Sequence, residues 1–458
     1  MSTRQPVYFA VLILVIGVGL TSCKKYLAAS PSATLTVPNS VANFQSLLDY
    51  SAFMNDLCAQ AGEIASDNYY LPDAVFEGLP RDQDRDAYIW EPGQFTGIDP
   101  NDWDNEYSVV YYANVVLDGL PTVQRTVQNA DAYDLCKGLA LAFRAKAFWE
   151  LAQVFAKGYD SATAETDLGI PLRLTSDYNV PSSRATLAQT YKQILSDLVA
   201  AVPLLPDVPP SFPYRFYKGS AYGLLARTYL SMREYPLALA AAESALSYNN
   251  TLLDYNTVSP VPRYPFASQQ YTNPEDMFHQ VAQIVNFDIQ FNRARIDTLL
   301  YASYDSNDLR KSIFFKANTD GTYYFTGSYH GNSQYYCGIA TDELYLVKAE
   351  CEARAGDVQS SMADLNTLLL KRWATGTFVS LSAPDAGTAL SLVLTERRKE
   401  LLYRMLRFTD IKRLNLEGAA ITVTRVISGQ TYTLPPNDAR DAIQIPEQVI
   451  SITGMPQN

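Results

Sequence analysis

The sequence predicts a mainly α-helical protein in which pairs of antiparallel helices form a scaffold, and long, loop-rich insertions with minor β-structure project from it. Three observations predict this class. Small residues recur at the offsets of a tetratricopeptide repeat, a second copy of that pattern lies farther along the chain, and tyrosine-rich segments interrupt the helical runs.

The chain begins with an export signal. Arg4 precedes an apolar run from Val7 to Leu20, which is too short to span a bilayer comfortably and has the build of a secretory signal. The run leads into Leu-Thr-Ser-Cys, which is typical of a bacterial lipobox ending at Cys23. We therefore expect residues 1–22 to be removed and Cys23 to carry the lipid that anchors the protein.

A tether and a first helix follow the predicted lipid site. Residues 23–40 are rich in Ser, Pro, Thr and Ala, which suits a flexible tether, so the folded domain is expected over residues 41–458. Asn39 or Ser40 is placed to cap the first helix. Four apolar residues share one face of that helix: Val41, Phe44, Leu47 and Leu48.

The stretch that follows residues 63–70 and extends to Pro100 is acidic and contains Pro and Gly, so it is predicted to be a loop. A second helix is predicted from about Asn101 to Leu120. Its aromatic and apolar residues are spaced by three or four: Trp103, Tyr107, Val110 and Tyr111.

Residues 218–246 are the clearest sign of a helix pair. Ala226, Ala238, Ala242 and Ala245 fall where small residues let two antiparallel helices pack closely. A second copy begins downstream, where Ala349 takes the place of Ala226. There Ser361, Leu365 and Leu368 take the places of the later alanines. A third, split copy is formed by residues 138–151 and 186–201.

These pairs divide the domain into a scaffold and insertions. The helix-pair scaffold is expected at about 101–250 and 341–415, and the inserted loops at about 66–100 and 250–340. Binding residues are commonly carried by loops on a rigid scaffold, so function is expected in the insertions.

Charge and cysteine content exclude several classes of protein. The net charge of the 458 residues is −12, and such a field repels nucleic acid. Cys58, Cys136, Cys337 and Cys351 are scattered without a C-x-x-C pair, so a zinc site is not predicted. Disulfide connectivity cannot be read from the sequence, and buried free thiols are the default interpretation.

Residues for catalysis are scarce, and no catalytic residue, metal ion or cofactor is predicted. His279 and His330 are the only histidines, and the common metalloprotease, hydrolase and NTPase motifs are absent. No carboxylate pair stands out for glycoside hydrolysis. The charged run from Glu396 to Asp410 is interpreted as one helix with ion pairs along its rim, and residues 81–86 as a solvated turn.

Together these segments resemble the SusD/RagB family over essentially the whole chain. The similar segments, beyond the lipobox and its following Lys-Lys-Tyr-Leu, are residues 63–70, 103–117, 138–155, 184–206, 221–230, 273–275, 342–356 and 396–413. One departure concerns Arg404 and Met405, which stand where many members carry Glu-Gly.

The resemblance implies a single, mainly helical SusD-like domain and a role in nutrient uptake. A member of this family is expected to be lipid-anchored in the outer membrane, facing the cell exterior. It is expected to act as a lid over a SusC-like TonB-dependent transporter, to which it delivers an oligosaccharide. Within the same family the ligand could instead be a peptide, and outside it a helix-repeat scaffold could bind only protein partners.

A glycan site needs exposed aromatic rings for stacking and polar groups for the sugar hydroxyls. The chain has 32 tyrosines, more than a core needs, and two insertions combine them with polar residues. The resemblance implies that ligand binds on loops from these stretches. The predicted binding residues are Tyr69, Tyr70, Arg81, Tyr88, Trp90, Tyr304, Tyr323, Tyr324, Tyr329 and Tyr335. The alternative is that the alternating tyrosines are strand residues that pack against a helix.

Overall fold

Helices provide most of the regular structure, as the repeat spacing predicts. The computed structural model describes residues 38–283 and 287–458. The predicted signal peptide (residues 1–22), the lipid-bearing Cys23 and almost all of the predicted tether (residues 23–40) lie outside the described residues.

The described helices are α1 (Val41–Leu48), α2 (Ser51–Met54), α3 (Ala61–Ile64), α4 (Asp73–Glu77), α5 (Asp82–Tyr88), α6 (Asp102–Gly119), α7 (Ala130–Phe155), α8 (Leu187–Ala201), α9 (Lys218–Ser231), α10 (Tyr235–Tyr248), α11 (Thr298–Ala302), α12 (Arg310–Ile313), α13 (Thr341–Ala355), α14 (Val358–Leu370), α15 (Ala386–Glu400), α16 (Arg407–Asn415) and α17 (Glu447–Thr453).

The described strands are β1 (Tyr69–Tyr70), β2 (Leu168–Pro171), β3 (Arg184–Thr186), β4 (Asp276–Phe278), β5 (Val281–Ala282), β6 (Arg295–Ile296), β7 (Phe315–Ala317), β8 (Tyr323–Phe325), β9 (Tyr335–Tyr336), β10 (Ile339–Ala340), β11 (Val423–Ile427) and β12 (Gln430–Leu434). They form antiparallel pairs: β1 with β6, β2 with β3, β4 with β10, β5 with β9, β7 with β8, and β11 with β12.

The three predicted helix pairs are confirmed. α9 packs against α10, α13 against α14, and α7 against α8. α10 also packs against α13, although residues 249–340 separate them in the chain. The pairs are therefore neighbours in space, and the long second insertion leaves the scaffold and returns to it at adjoining helices.

Capping side chains begin the helices where the sequence predicts them. The Ser40 hydroxyl accepts a hydrogen bond from the backbone N–H of Asn43 at the start of α1. Asn101 forms a capping box at α6, and Thr186 forms another at α8. Each cap satisfies backbone N–H groups that the first turn of a helix leaves without partners.

Small residues bring the paired helices close together. Ala226, Ala238, Ala242 and Ala245 are completely buried between neighbouring helices. At Gly223 of α9, an added Cβ atom would lie only 2.6 Å from the side chain of Ile339. Larger side chains at the four alanine positions would force the helices apart, and one at position 223 would press against β10.

The first insertion differs from the prediction of a loop up to Pro100. It contains two short helices, α4 and α5, and residues 81–86 belong mainly to α5 rather than to a solvated turn. Asp73 begins α4, and Asp82 and Asp84 lie in the first turn of α5. Their negative charges interact favourably with the positive end of the helix dipole. The acidic composition that suggested a loop thus stabilises helix N-termini.

The second insertion contributes its own hydrophobic cluster. Buried aromatic residues from both insertions pack together there, including Tyr69, Tyr88, Tyr255, Tyr304, Phe314, Phe325, Tyr329 and Tyr335. Residues 323–325 and 335–336 form strands. This agrees with the alternative interpretation of the tyrosine-rich segment, in which its tyrosines are strand residues. The insertions therefore fold into a second core beside the helical one.

The sequence predicts one helix for the charged run from Glu396 to Asp410, and this prediction is wrong. α15 ends at Glu400 and α16 begins at Arg407, with Tyr403 and Met405 at φ values of 55° and 61° between them. Its charges are mostly buried rather than on a rim, because they pair with acids and bases from distant segments. The four cysteines within the described residues are buried and free.

Candidate functional site

Six of the ten predicted binding residues do not reach solvent. Tyr69, Tyr88, Trp90, Tyr304, Tyr329 and Tyr335 are buried, so the expectation that their rings project outward is wrong. Their polar atoms bond within the fold: Tyr304 donates to the carbonyl of Lys399 at 2.7 Å, and the Trp90 ring N–H donates to the carbonyl of Ala65 at 3.1 Å. A buried tyrosine or tryptophan is stable when its polar tip has such a partner.

The other four predicted residues, Tyr70, Arg81, Tyr323 and Tyr324, are partly exposed. The structure brings the two insertions that carry them together. Tyr70 of β1 lies opposite Arg295 of β6, so a strand of the first insertion pairs directly with a strand of the second. The two stretches that the sequence predicts to share a site therefore meet at one surface.

A phenylalanine of the second insertion lies under two guanidinium groups at this meeting point. The Cζ atom of Arg81, from the first insertion, is 4.8 Å from the centre of the Phe287 ring. The Cζ atom of Arg293 is 4.7 Å from the same ring. Both distances are within the range of cation–π attraction. Arg81 also forms an ion pair with Asp84 of α5 at 2.5 Å, which holds its side chain in place.

A second group of rings surrounds Arg263. Its Cζ atom lies 4.1 Å from the centre of the Phe291 ring and 5.7 Å from that of Tyr324. The Phe291 and Tyr324 rings are 6.0 Å apart. Arg263 is exposed, and both rings are partly exposed. We call the combined feature the arginine–aromatic surface. Its residues are Arg81, Arg263, Phe287, Phe291, Arg293 and Tyr324.

Two of these arginines are not neutralised by a neighbouring carboxylate. Within the described ranges, neither Arg263 nor Arg293 has an acidic side chain at ion-pair distance, and Arg293 instead donates to the Gln290 side chain at 2.9 Å. Asp288 is fully buried nearby, and burial raises its pKa well above the ordinary value. The surface therefore presents positive charge and aromatic rings on a protein whose net charge is −12.

A stacked tyrosine pair joins α11 to the hairpin formed by β7 and β8. The Tyr301 and Tyr323 rings are 3.7 Å apart at an interplanar angle of 16°, and the ammonium group of Lys311 lies 5.1 Å from the Tyr301 ring centre. Burial raises the pKa of the Tyr301 hydroxyl, and the adjacent Tyr323 hydroxyl raises it further. The Tyr301 hydroxyl therefore stays protonated at neutral pH and can donate a hydrogen bond.

Sequence reasoning did not find Arg263, Phe287, Phe291 or Arg293. The available signal was weak: Phe287 and Phe291 are four residues apart and close to arginines, in a segment without helical periodicity. The contribution of Arg263 depends on a contact across 28 residues of chain, from position 263 to position 291, which no local pattern reveals.

Residues 25–230 match the sequence profile of a SusD-like family described as starch-binding and associating with the outer membrane. No curated protein matches the chain. No helix of the described ranges is long and apolar enough to cross a membrane.

Solved structures share the fold over nearly the whole chain. A crystal structure described as a putative sugar-binding protein from Bacteroides vulgatus is 22% identical, with a TM-score of 0.73, and the match covers 93% of this chain and 99% of that one. A SusD superfamily protein from Bacteroides thetaiotaomicron is 20% identical, with a TM-score of 0.73 and coverage of 92% and 99%. A laminarin-binding SusD-like protein is 18% identical, with a TM-score of 0.65 and coverage of 91% and 98%.

The profile match and the shared helical fold agree with the segments that the sequence analysis singled out. Residues 25–230 therefore carry the profile of the SusD-like family, and the chain has the fold of SusD-like proteins over nearly its whole length.

Proposed function

We propose that the protein binds an oligosaccharide at the arginine–aromatic surface and catalyses no reaction. The observation that carries the proposal is the meeting of the two insertions, which places Arg81 of the first over Phe287 of the second. Within the second insertion, Arg263 lies over Phe291. The proposal is supported by the match of residues 25–230 to a family profile described as starch-binding, and by similar structures described as sugar-binding and laminarin-binding.

The chemistry of the surface suits a sugar. A pyranose ring has flat C–H faces, which stack on aromatic rings, and hydroxyl groups at its rim, which accept hydrogen bonds from guanidinium N–H groups. Phe291 and Tyr324 supply partly exposed rings, and Arg263 supplies donors that no carboxylate of the described residues occupies. Arg293 and the Tyr324 hydroxyl provide further polar groups around the rings.

The test is calorimetric titration of the protein with maltooligosaccharides, laminarin oligosaccharides and xylooligosaccharides. We expect one of these series to bind, and the triple variant Arg263→Ala, Phe291→Ala, Tyr324→Ala to bind it about tenfold more weakly or worse. Phe212→Ala is the matched control, because Phe212 is 65% exposed and lies outside the surface. An unchanged affinity in the triple variant would contradict the site.

Catalysis is tested on the same samples. Incubation of each oligosaccharide with the protein should release no reducing sugar, because the role proposed here is capture. The appearance of reducing ends that increase with protein concentration would contradict a pure binding role.

We further propose that the protein is anchored through lipid on Cys23 and delivers its ligand to a SusC-like TonB-dependent transporter. Metabolic labelling with a palmitate analogue should label the wild type and the Cys337→Ala control, and Cys23→Ala should abolish the label. Mild detergent extraction of outer membranes should co-isolate a large TonB-dependent barrel protein. Labelled Cys23→Ala protein would contradict the anchor, and isolation without a barrel partner would contradict the delivery role.

A further inference from the structure

A separate hollow lies on the scaffold, away from the residues of the arginine–aromatic surface. It is bounded by α6, by the segment from Pro171 to Ser182, and by the C-terminal residues 449–455. Its volume is about 230 Å³. We call it the α6 hollow. The residues that matter for its chemistry are Trp103, Tyr107, Tyr111, Asn114, Arg173 and Tyr178.

Aromatic rings line the α6 hollow from the floor to the rim. The buried Trp103 ring lies 4.7 Å from the Tyr107 ring, and Tyr107 is partly exposed. Tyr111 is 49% exposed and Tyr178 is 85% exposed. The sequence analysis placed Trp103, Tyr107 and Tyr111 on one apolar helix face. Tyr111 and Tyr178 come from different segments, and both border this one hollow.

The wall opposite α6 is held in place by α6 itself. Asn114 donates to the carbonyls of Arg173 and Thr175 at 2.8 and 3.3 Å. Asp118 accepts hydrogen bonds from the backbone N–H and the hydroxyl of Ser176 at 2.7 and 2.8 Å. Tyr107 donates to the carbonyl of Pro171 at 2.7 Å. A surface loop with this many bonds to a helix is preorganised, which reduces the entropy lost on binding.

Arg173 fixes the tip of the same segment. Its guanidinium group donates to the carbonyl of Asp177 at 2.6 Å, to the hydroxyl of Ser182 at 3.2 Å, and to the carbonyl of Val180. Asp177 in turn accepts from the backbone N–H of Asn179 at 2.9 Å. These bonds hold the turn that carries Tyr178, so its exposed ring stands at a defined place on the rim.

The size and composition of the hollow select the occupant. Sites for larger organic ligands usually measure roughly 300–1,000 Å³, so a hollow of about 230 Å³ suits a single ring of a longer chain. Arg173 is the one charged side chain among its lining residues, and the remaining polar groups are hydroxyls and amides. Neutral hydroxyl-rich rings fit this mixture, whereas an acidic or a basic peptide would find no matching set of charges.

We propose that the α6 hollow is a second carbohydrate subsite, which takes one neutral sugar ring between Tyr111 and Tyr178. The proposal rests on the carbohydrate function proposed above, but it uses none of the residues of the arginine–aromatic surface. A glycan chain long enough to engage both places would be held more tightly than either contact alone allows.

The test uses methyl glycosides of glucose, galactose, mannose and xylose, observed by saturation-transfer NMR and titrated by chemical-shift change. We expect at least one to bind the wild-type protein, and Tyr178→Ala to weaken it about tenfold. Leu174→Ala is the matched control, because Leu174 is an exposed residue of the same segment that does not line the hollow. Tyr178 is so exposed that its removal should leave the melting temperature unchanged, which a thermal scan checks.

The two proposals fail in different ways. If the arginine–aromatic triple variant loses oligosaccharide affinity while Tyr178→Ala and Tyr111→Ala bind methyl glycosides as the wild type does, the second subsite is overturned and the proposed function stands. If no oligosaccharide and no methyl glycoside binds the wild type, both are overturned. Loss of methyl glycoside binding in Tyr178→Ala, with Leu174→Ala unchanged, supports the α6 hollow.

Discussion

The hydroxyl of Tyr304 donates a hydrogen bond to the carbonyl of Lys399 at 2.7 Å, and its ring is 1% exposed. This bond connects the second insertion to the last turn of α15. A buried carbonyl that loses its donor keeps the desolvation cost without compensation. The Tyr304 hydroxyl therefore contributes to stability rather than to recognition.

Tyr304→Phe should lower the free energy of unfolding by about 1–3 kcal/mol, since it leaves the Lys399 carbonyl without this donor. Denaturant titration followed by circular dichroism measures the change. Tyr324→Phe is the control. Its hydroxyl has no hydrogen bond within the described part of the chain and is partly exposed, so its stability should match the wild type. Equal stabilities of the two variants would contradict the role given to Tyr304.

The two histidines of the chain contact each other. His279 Nε2 lies 3.0 Å from His330 Nδ1, and His279 Nδ1 lies 2.5 Å from an Asp276 oxygen. Burial and the neighbouring His279 lower the pKa of His330 to about 4. The unfolded chain therefore binds a proton at His330 more strongly than the folded chain does. Between pH 6.5 and 4 this difference reduces the free energy of unfolding as pH falls.

His330→Gln should remove this pH dependence. The stability advantage of the wild type over the variant should shrink by on the order of 2–3 kcal/mol as pH falls from 7 to 4. Urea titrations of both proteins at a series of pH values measure the difference. Burial raises the pKa of Glu63 to about 7 and that of Asp102 to about 6, but these groups affect both proteins alike. A constant difference across this range would contradict the prediction.

At the scale of elements, the turn between α15 and α16 depends on unusual backbone geometry. Met405 has a φ of 61° and stands at the position where many SusD/RagB proteins carry Gly. The neighbouring Arg404 forms an ion pair with Asp342 at 2.7 Å. The Arg404 guanidinium also lies 4.2 Å from the Tyr329 ring centre. These long-range contacts hold the chain in a left-handed conformation, which a non-glycine residue adopts only at a cost.

Met405→Gly should be more stable than Met405→Ala by about 1 kcal/mol, although it removes more of the side chain, because only glycine adopts positive φ without strain. Denaturant midpoints of the two variants measure the order. Met362, buried in α14, provides the control. There the order should reverse, since glycine in a helix is about 1 kcal/mol less favourable than alanine. The same order at both positions would refute the argument.

Helices and insertions were predictable to different degrees for a physical reason. The helix pairs depend on the local spacing of small residues such as Ala226 and Ala242, and on caps such as Thr186. The sequence pattern alone is therefore sufficient to predict them. The outcome for each tyrosine depends on distant partners. Tyr323 is partly exposed and Phe325, on the same side of β8, is buried, because Phe325 meets Tyr403 from another part of the chain.

The candidate site was predictable as a meeting of two insertions but not as a set of residues. The resemblance pointed to both stretches, and the pairing of β1 with β6 joins them. Packing in the second core decides which rings stay exposed, because five of the predicted residues lie in its interior. The sixth buried residue, Trp90, belongs to the helical core. Composition cannot separate a tyrosine that packs inside from one that faces solvent, because the side chain suits both places.

At the scale of the whole molecule, a buried ionic network joins the second core to the helical scaffold. Arg310 of α12 contacts Asp308 at 2.7 Å, and Glu396 and Glu400 of α15 at 2.5 and 2.9 Å. Arg372, just after α14, contacts Glu400 at 2.7 Å and Glu275 of the second insertion at 2.9 Å. Both arginines are completely buried. Buried ion pairs therefore connect the second insertion to the scaffold. Separation of the two parts would leave these charges without their partners.

Arg310→Gln should lower the free energy of unfolding by about 3–5 kcal/mol, because it leaves several buried carboxylates without their cation. Thermal and denaturant unfolding measure the loss. Arg125→Gln is the control: Arg125 pairs with Asp134 on the surface and is 51% exposed, so its replacement should leave stability unchanged. A small effect of Arg310→Gln would mean that the carboxylates take up protons without disturbing the fold.

The contact between α10 and α13 has a consequence for the history of such chains. The polypeptide departs after Tyr248 and comes back at Thr341, and the helices on either side of that detour touch each other. Everything between the two points can be lengthened, trimmed or exchanged while the flanking helices keep their register. The contacts that such a change must preserve include those of Glu275, Asp308 and Arg310. A change confined to the second insertion is therefore a route by which related chains bind different ligands on the same helical scaffold.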